Sequence, residues 1–296
     1  MGLGPTLLLG FISGVTILFG LPIGRLRRPA PSLRALLNAV AVGVLLFLVW
    51  DVLSAAWEPI DASLARFHEG GGGLGGAAGY GILFAGGLSV GLLSLVAYQR
   101  WTEGLAAGRA EVPRPTHFGP GTMHVAELRS GPAGFAGWSA GRRLAVLIAV
   151  GIGLHNFAEG LAIGQAAAGG EIALATLLVV GFALHNATEG FGITAPLAGE
   201  TDSAGEARRP SWGFLLLLGL IGGGPTFVGT AIGHGFTSEP VSVVFLTLAA
   251  GSIIYVVTQL LGVAARAKRA DLLAYGLLIG LFAGFLTDAV VSAGGA

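Results

Sequence analysis

Apolar residues along this chain come in long, nearly unbroken blocks rather than in the short periodic runs of a soluble protein. Eight such stretches cover roughly 5–23, 35–57, 77–99, 144–168, 171–197, 212–235, 240–265 and 271–292. A bilayer core about 30 Å thick needs about 20 apolar residues per helix, and each stretch meets that length. The pattern therefore predicts an all-α integral membrane protein with eight transmembrane helices, forming a single domain over 1–296. Polar residues gather between the stretches. The longest break, Arg100 to Arg143, holds Pro113, Pro115, Pro120 and Pro132 among glycines and scattered charge. It predicts a flexible loop over 100–143, between a three-helix and a five-helix block. A Gly-rich break from Glu69 to Gly76 separates the second and third stretches. The first stretch has no charge ahead of it and is longer than the apolar core of a signal peptide, so it reads as a retained helix.

Composition agrees with this reading. Of 296 residues, 53% are hydrophobic and 11% charged, against about 25% charged in soluble domains. Glycine is abundant (52 residues), as suits closely packed membrane helices. The formal net charge is zero, which leaves no global basic footprint for nucleic acid. The absence of cysteine excludes disulfides and thiolate metal sites. The 16 Lys and Arg residues are distributed unevenly. All but Arg66 fall in the connections after the first, third, fifth and seventh stretches. Cytoplasmic loops carry the basic excess, so both termini are expected outside a cell membrane and the long loop in the cytoplasm.

Most of the predicted helices carry no ionisable group near their middle. The exceptions are Asp51 in the second, His155 and Glu159 in the fourth, and His185 and Glu189 in the fifth. A charge at mid-bilayer costs at least about 2.5–3.5 kcal/mol and points to function. His234 and Asp288 lie nearer helix ends, and Asp288 reads as interfacial. The fourth and fifth stretches also contain a repeat. Gly153-Leu154-His155-Asn156-Phe157-Ala158-Glu159-Gly160 recurs as Ala183-Leu184-His185-Asn186-Ala187-Thr188-Glu189-Gly190. His and Glu at i, i+4 share a helix face, and Asn flanks it. Antiparallel neighbours would bring both motifs to similar depth, offering imidazoles, carboxylates and amide oxygens. That donor set suits Zn, Fe, Mn, Co or Ni better than Ca or Mg. Glu159, Glu189 and Asp51 have no Lys or Arg in these helices to offset them, and a divalent cation would do so. Protons could take its place, which suggests a route to metal release.

At these residues the sequence resembles the ZIP (Zrt/Irt-like) family of divalent-metal transporters, prokaryotic type, over nearly the whole chain. The resemblance implies an eight-helix bundle with the metal site between helices four and five, no prosthetic group, and metal (zinc foremost; also manganese, iron, cobalt or cadmium) as transported substrate. It further implies passage toward the cytoplasm by alternating access, with helices one, four, five and six moving against two, three, seven and eight, in a homodimer. By resemblance His155, Glu159 and Glu189 hold the transported metal and His185 lies beside it. Asn156 and Asn186 match flanking ligands of an adjacent second position, bridged by Glu159 and Glu189. The sequence departs from the family pattern in three places. Ala158 and Thr188 replace a proline before each acid. Gly224 stands before Pro225 where many members have Glu. Gln259 stands where an acid is common on helix seven. The last two changes deplete the second position and predict one strong metal site. Asp51 supplies an acid from helix two, and Glu58, seven residues on along the same face, would guide ions in, with Asp61, His68 and Glu69 nearby.

Plainer readings stand beside these. Gln259 reads more readily as a packing amide than as a ligand, and Asp51 could bond to a neighbouring Ser or Trp. His117 and His124 in the long loop read as solvated. The Gly86-Gly87 and Gly222-Gly223-Gly224 runs suit helix packing. Two other functions fit a buried His/Glu site: an intramembrane metal-dependent hydrolase and a metal-binding membrane sensor. Against the hydrolase, the chain has no His-Glu-x-x-His motif.

Overall fold

The computed structural model describes residues 1–25, 31–110, 138–170, 172–197, 209–235 and 238–293. Its elements are α1 (Leu3–Val15), continued by 3-10 turns over Thr16–Phe19 and Leu21–Arg25; α2 (Pro31–His68); α3 (Gly75–Ala110); α4 (Ala140–Ala168); α5 (Ile172–Thr194), closed by a 3-10 turn Ala195–Leu197; α6 (Trp212–Gly235); α7 (Glu239–Arg266); and α8 (Ala270–Ala293). Among the described residues, seven helices are long and apolar enough to cross a membrane: Leu3–Arg25, Ser32–His68, Gly75–Trp101, Ala140–Ala168, Trp212–Gly235, Glu239–Arg266 and Ala270–Val290. The eighth, α5, carries the second His-Asn-x-x-Glu motif.

Helix lengths differ from the apolar stretches in an instructive way. α2 continues to His68, past Glu58, Asp61 and Arg66, and α3 continues to Ala110. The residues from Arg100 to Ala110, expected to open the long loop, are thus helical, as are Ala140 to Arg143 at its far end. Hydropathy marks where lipid tolerates a side chain, whereas a helix ends where its backbone ladder ends. His117 and His124 lie outside the described residues.

Glycines mark three of the helix contacts among the described residues. A Cβ on Gly153, Gly160 or Gly164 of α4 would run into backbone of α6, and one on Gly229 or Gly233 of α6 into backbone of α4. Gly276, Gly280 and Gly284 of α8 sit in the same way against Ala39, Gly43 and Phe47 of α2, and Gly87 and Gly91 of α3 against Thr247 and Leu248 of α7. In each pair the numbering rises together, so the helices run parallel. Without side chains between them, backbones approach closely and gain dispersion contacts, the main source of helix adhesion in lipid.

Side-chain contacts fix the two ends of the bundle. At one end the N-terminal ammonium donates to Ala167 O at 2.7 Å and Tyr80 donates to Glu239 Oε2 at 2.5 Å. At the other, Arg269 Nη1 donates to Ser32 Oγ at 3.3 Å and Arg25 donates to Pro210 O. The largest cluster of buried apolar residues lies toward this second end and includes Ile17, Leu45, Ile148, Ile152, Ile253 and Leu260.

Candidate metal centre

α4 and α5 turn on Gly169-Gly170, where Gly170 takes a φ of 85° that favours glycine. His155 and His185 are equidistant in sequence from that turn, so the antiparallel helices bring the two motifs level. α4 runs unbroken through its motif, where Ala158 supplies the backbone N–H that a proline would lack. α5 is likewise continuous, and Thr188 Oγ1 donates to His185 O at 2.7 Å.

Glu159 is the hub. Its Oε1 lies 2.8 Å from His155 Nε2, one helical turn back, and 2.5 Å from His185 Nε2 across the helix pair. The two imidazole centroids are 6.1 Å apart. All three residues are buried. One ligand atom from each falls within 4.8 Å of the others, a spacing that can hold a metal ion. The 2.8 Å approach of His155 lacks hydrogen-bond geometry: both its ring nitrogens, and Glu159 Oε2, are buried with no hydrogen-bond partner. Unsatisfied buried polar atoms are costly and call for an explanation. Lone pairs left without a partner are what a cation would use.

The other half of the repeat is arranged differently. Asn156 Nδ2 donates to Glu189 Oε2 at 3.2 Å and to Gly222 O on α6 at 3.0 Å. Glu189 is thereby held by an amide rather than by an imidazole, with Oε1 left unpartnered. Asn186 turns toward α1, donating to Ser13 O at 3.2 Å and Ser13 Oγ at 3.5 Å, and leaves its own Oδ1 unpartnered. The resemblance paired Glu189 with His155 and Glu159 and put His185 to one side; the geometry draws His185 in and leaves Glu189 a step away.

A cavity of roughly 320 Å³ opens on this cluster. His155, Glu159 and His185 line one wall; Asp51 of α2 and Asp288 of α8 line the other, both half-buried. Asp288, expected at the interface, thus lines the cavity. A signal for it was present: the spacing Gly276, Gly280, Gly284, Asp288 continues the stripe of α8 that packs on α2. Glu58 is exposed on α2 beyond Ala55, itself on the cavity wall, and does not line the cavity. Gln259 does not line it either. Its Nε2 donates to Gln99 Oε1 at 3.3 Å, an acceptor it shares with the Tyr255 hydroxyl at 2.7 Å. This is an α3–α7 packing contact.

A family model for the ZIP zinc transporter matches residues 133–291, more than half of the chain. The chain belongs to the ZIP zinc transporter family. The ZIP match spans both motif helices and α6 to α8, and leaves Asp51 and Glu58 on α2 outside it. Comparison with curated proteins finds no match. ZIP members move metal ions as substrates, so the chain is a divalent-metal transporter in the membrane, and the hydrolase reading falls away. A candidate His/Glu site of the ZIP transporter is formed by His155, Glu159 and His185.

Proposed function

We propose that this transporter carries a divalent transition metal, zinc foremost, toward the cytoplasm by alternating access through a single strong position. His155, Glu159 and His185 hold the ion, and Asp51 from α2 completes the set. The observation that carries this reading is the meeting of two imidazoles on one carboxylate oxygen. Two imidazole nitrogens and two carboxylates make a four-ligand set for zinc. Glu189, tied up by Asn156, together with Gly224 in place of an acid, supports a weak second position. Both Asn156 and Asn186 keep a free carbonyl oxygen for it, and Gln259 sits elsewhere. Eight crossings, with α5 among them, outside termini in the plasma or inner membrane, and a homodimer through α2, α3, α7 and α8 belong to the same reading. α5 has 23 residues, roughly 35 Å of helix, which is enough to span.

Uptake of zinc, manganese or iron into proteoliposomes tests it, alongside metal analysis of the purified chain. Wild type is expected to bind one metal per chain. Glu159→Gln keeps the volume but removes the charge shared by both imidazoles, so affinity should fall by about 100-fold or more. Because protons compete for the same ligands, uptake should decline as the pH drops from about 7 to about 5. Two fully occupied metals, or undiminished binding by Glu159→Gln, would refute the single-site reading; absence of flux from folded protein would refute transport.

A further inference from the structure

Where α1, α4 and α6 end together, at the opposite end of the bundle from Met1, guanidiniums and aromatic rings interleave. Arg25 donates to Pro210 O and lies 4.7 Å from the centroid of the Trp212 ring. Arg142, in the first turn of α4, lies 5.1 Å over Phe214. Trp138 meets Phe214 edge-on at 5.3 Å, and Arg143 Nη1 donates to Trp138 O at 2.8 Å.

Among the described residues this corner is positive without a compensating acid: the ion pairs involve Glu159 and Asp271, and none reaches Arg25, Arg142 or Arg143. Arg142 Nε is buried and has no hydrogen-bond partner. Neither α4 nor α6 has an acid in its first turn, so two helix N-termini add positive dipole ends. A guanidinium has five N–H donors in a planar fork that matches phosphate, and the contacts above use few of them. Ring stacking holds Arg25 and Arg142 in place before any anion arrives.

The surroundings say which anion. Trp212 is 55% exposed at the mouth of an apolar helix, the setting in which tryptophan lies among lipid headgroups. Basic pockets between membrane helices at that depth select anionic headgroups. We propose that Arg25, Arg142 and Arg143, with Trp138 and Trp212, form a binding site for the phosphate of an anionic phospholipid, joining the ends of α1, α4 and α6.

The full chain in neutral detergent can be titrated with phosphatidylglycerol, with phosphatidylcholine of the same acyl chains, and with inorganic phosphate, reading retained lipid by native mass spectrometry and stability by thermal melting. Phosphatidylglycerol is expected to be retained and to raise the melting temperature, the other two not. Each guanidinium removed, by Arg25→Gln or Arg142→Gln, should weaken retention about fivefold. Arg269→Gln, at the same end but paired with Asp271, should leave it unchanged. Equal retention of phosphatidylcholine, or an equal effect of inorganic phosphate, overturns the lipid site. So does an equal loss in Arg269→Gln, which would indicate a diffuse field. If the Gln variants fail to fold, Arg142→Lys decides: it keeps charge but loses the planar fork, and undiminished retention overturns the proposal.

Discussion

Glu159 does two jobs that a single carboxylate rarely combines. It accepts from His185 of another helix and lies against His155 of its own, so it positions both imidazoles while offering Oε2 to an ion. Across the cavity, Asp51 and Asp288 face this cluster from the α2/α8 pair. Their charge should draw a cation toward the cluster, but only one of them is proposed to reach it. Asp51→Ala is therefore expected to lower metal affinity by about 10-fold or more with little change in melting temperature, whereas Asp288→Asn should slow uptake at low metal with a smaller effect on equilibrium binding. Isothermal titration beside initial-rate uptake separates them; equal loss of affinity in both would make Asp288 a ligand too. At this scale the residue types in the motif were legible in sequence, because ionisable groups inside apolar helices are conspicuous. Their division of labour was not. Whether His185 or Glu189 joins Glu159 depends on helix rotation of a few tens of degrees, and a repeat gives both the same pattern. The Asn156 bond to Glu189 and Gly222 and the turning of Asn186 to Ser13 break that symmetry.

Among the elements, α4 and α6 form the support of the site. Gly160 sits one residue beyond Glu159, and a Cβ there would meet Thr226 O; one on Gly229 would meet Phe157 O, one residue beyond Asn156. The obstacles are backbone atoms, which cannot rotate aside. Gly229→Ala is thus expected to destabilise the protein by about 1–3 kcal/mol and to weaken metal binding, by pushing α4 away from α6. Gly213→Ala, in open space at the start of the same helix, should do neither. Melting curves of both variants in detergent check this, and an unaffected Gly229→Ala would mean that the two helices are not so tightly engaged. Helix existence was readable from apolar length alone. Helix ends were not, since α2 and α3 continue as helix beyond the apolar stretches, through Glu58, Asp61, Arg66 and Arg100. The partner of each helix was not readable either. Abundant glycine indicates close packing without saying against what, and the four-residue spacing from Gly276 to Asp288 shows its meaning only once α2 lies beneath it.

For the whole molecule the open quantity is how many times the chain crosses. Arg25, Arg142 and Arg269 gather at one end of the bundle and Arg66 at the other, in keeping with eight alternating passes. The count turns on α5. His185 and Glu189 cost it about 2.5–3.5 kcal/mol each if charged at mid-bilayer, and the apolar run from Ile172 must offset that. Removing α5 from the count would reverse every helix after it. Because the chain has no cysteine, single introduced cysteines report without background. Gly71→Cys lies in the exposed break between α2 and α3, and Ala267→Cys in the exposed turn between α7 and α8. An impermeant maleimide added to intact cells is expected to label Gly71→Cys, and to label Ala267→Cys only after permeabilisation. Labelling of both from outside would mean that α5 lies in the bundle without crossing. In that case His185 would have to reach Glu159 from a re-entrant helix, and the metal would have a route out that does not pass between α4 and α5.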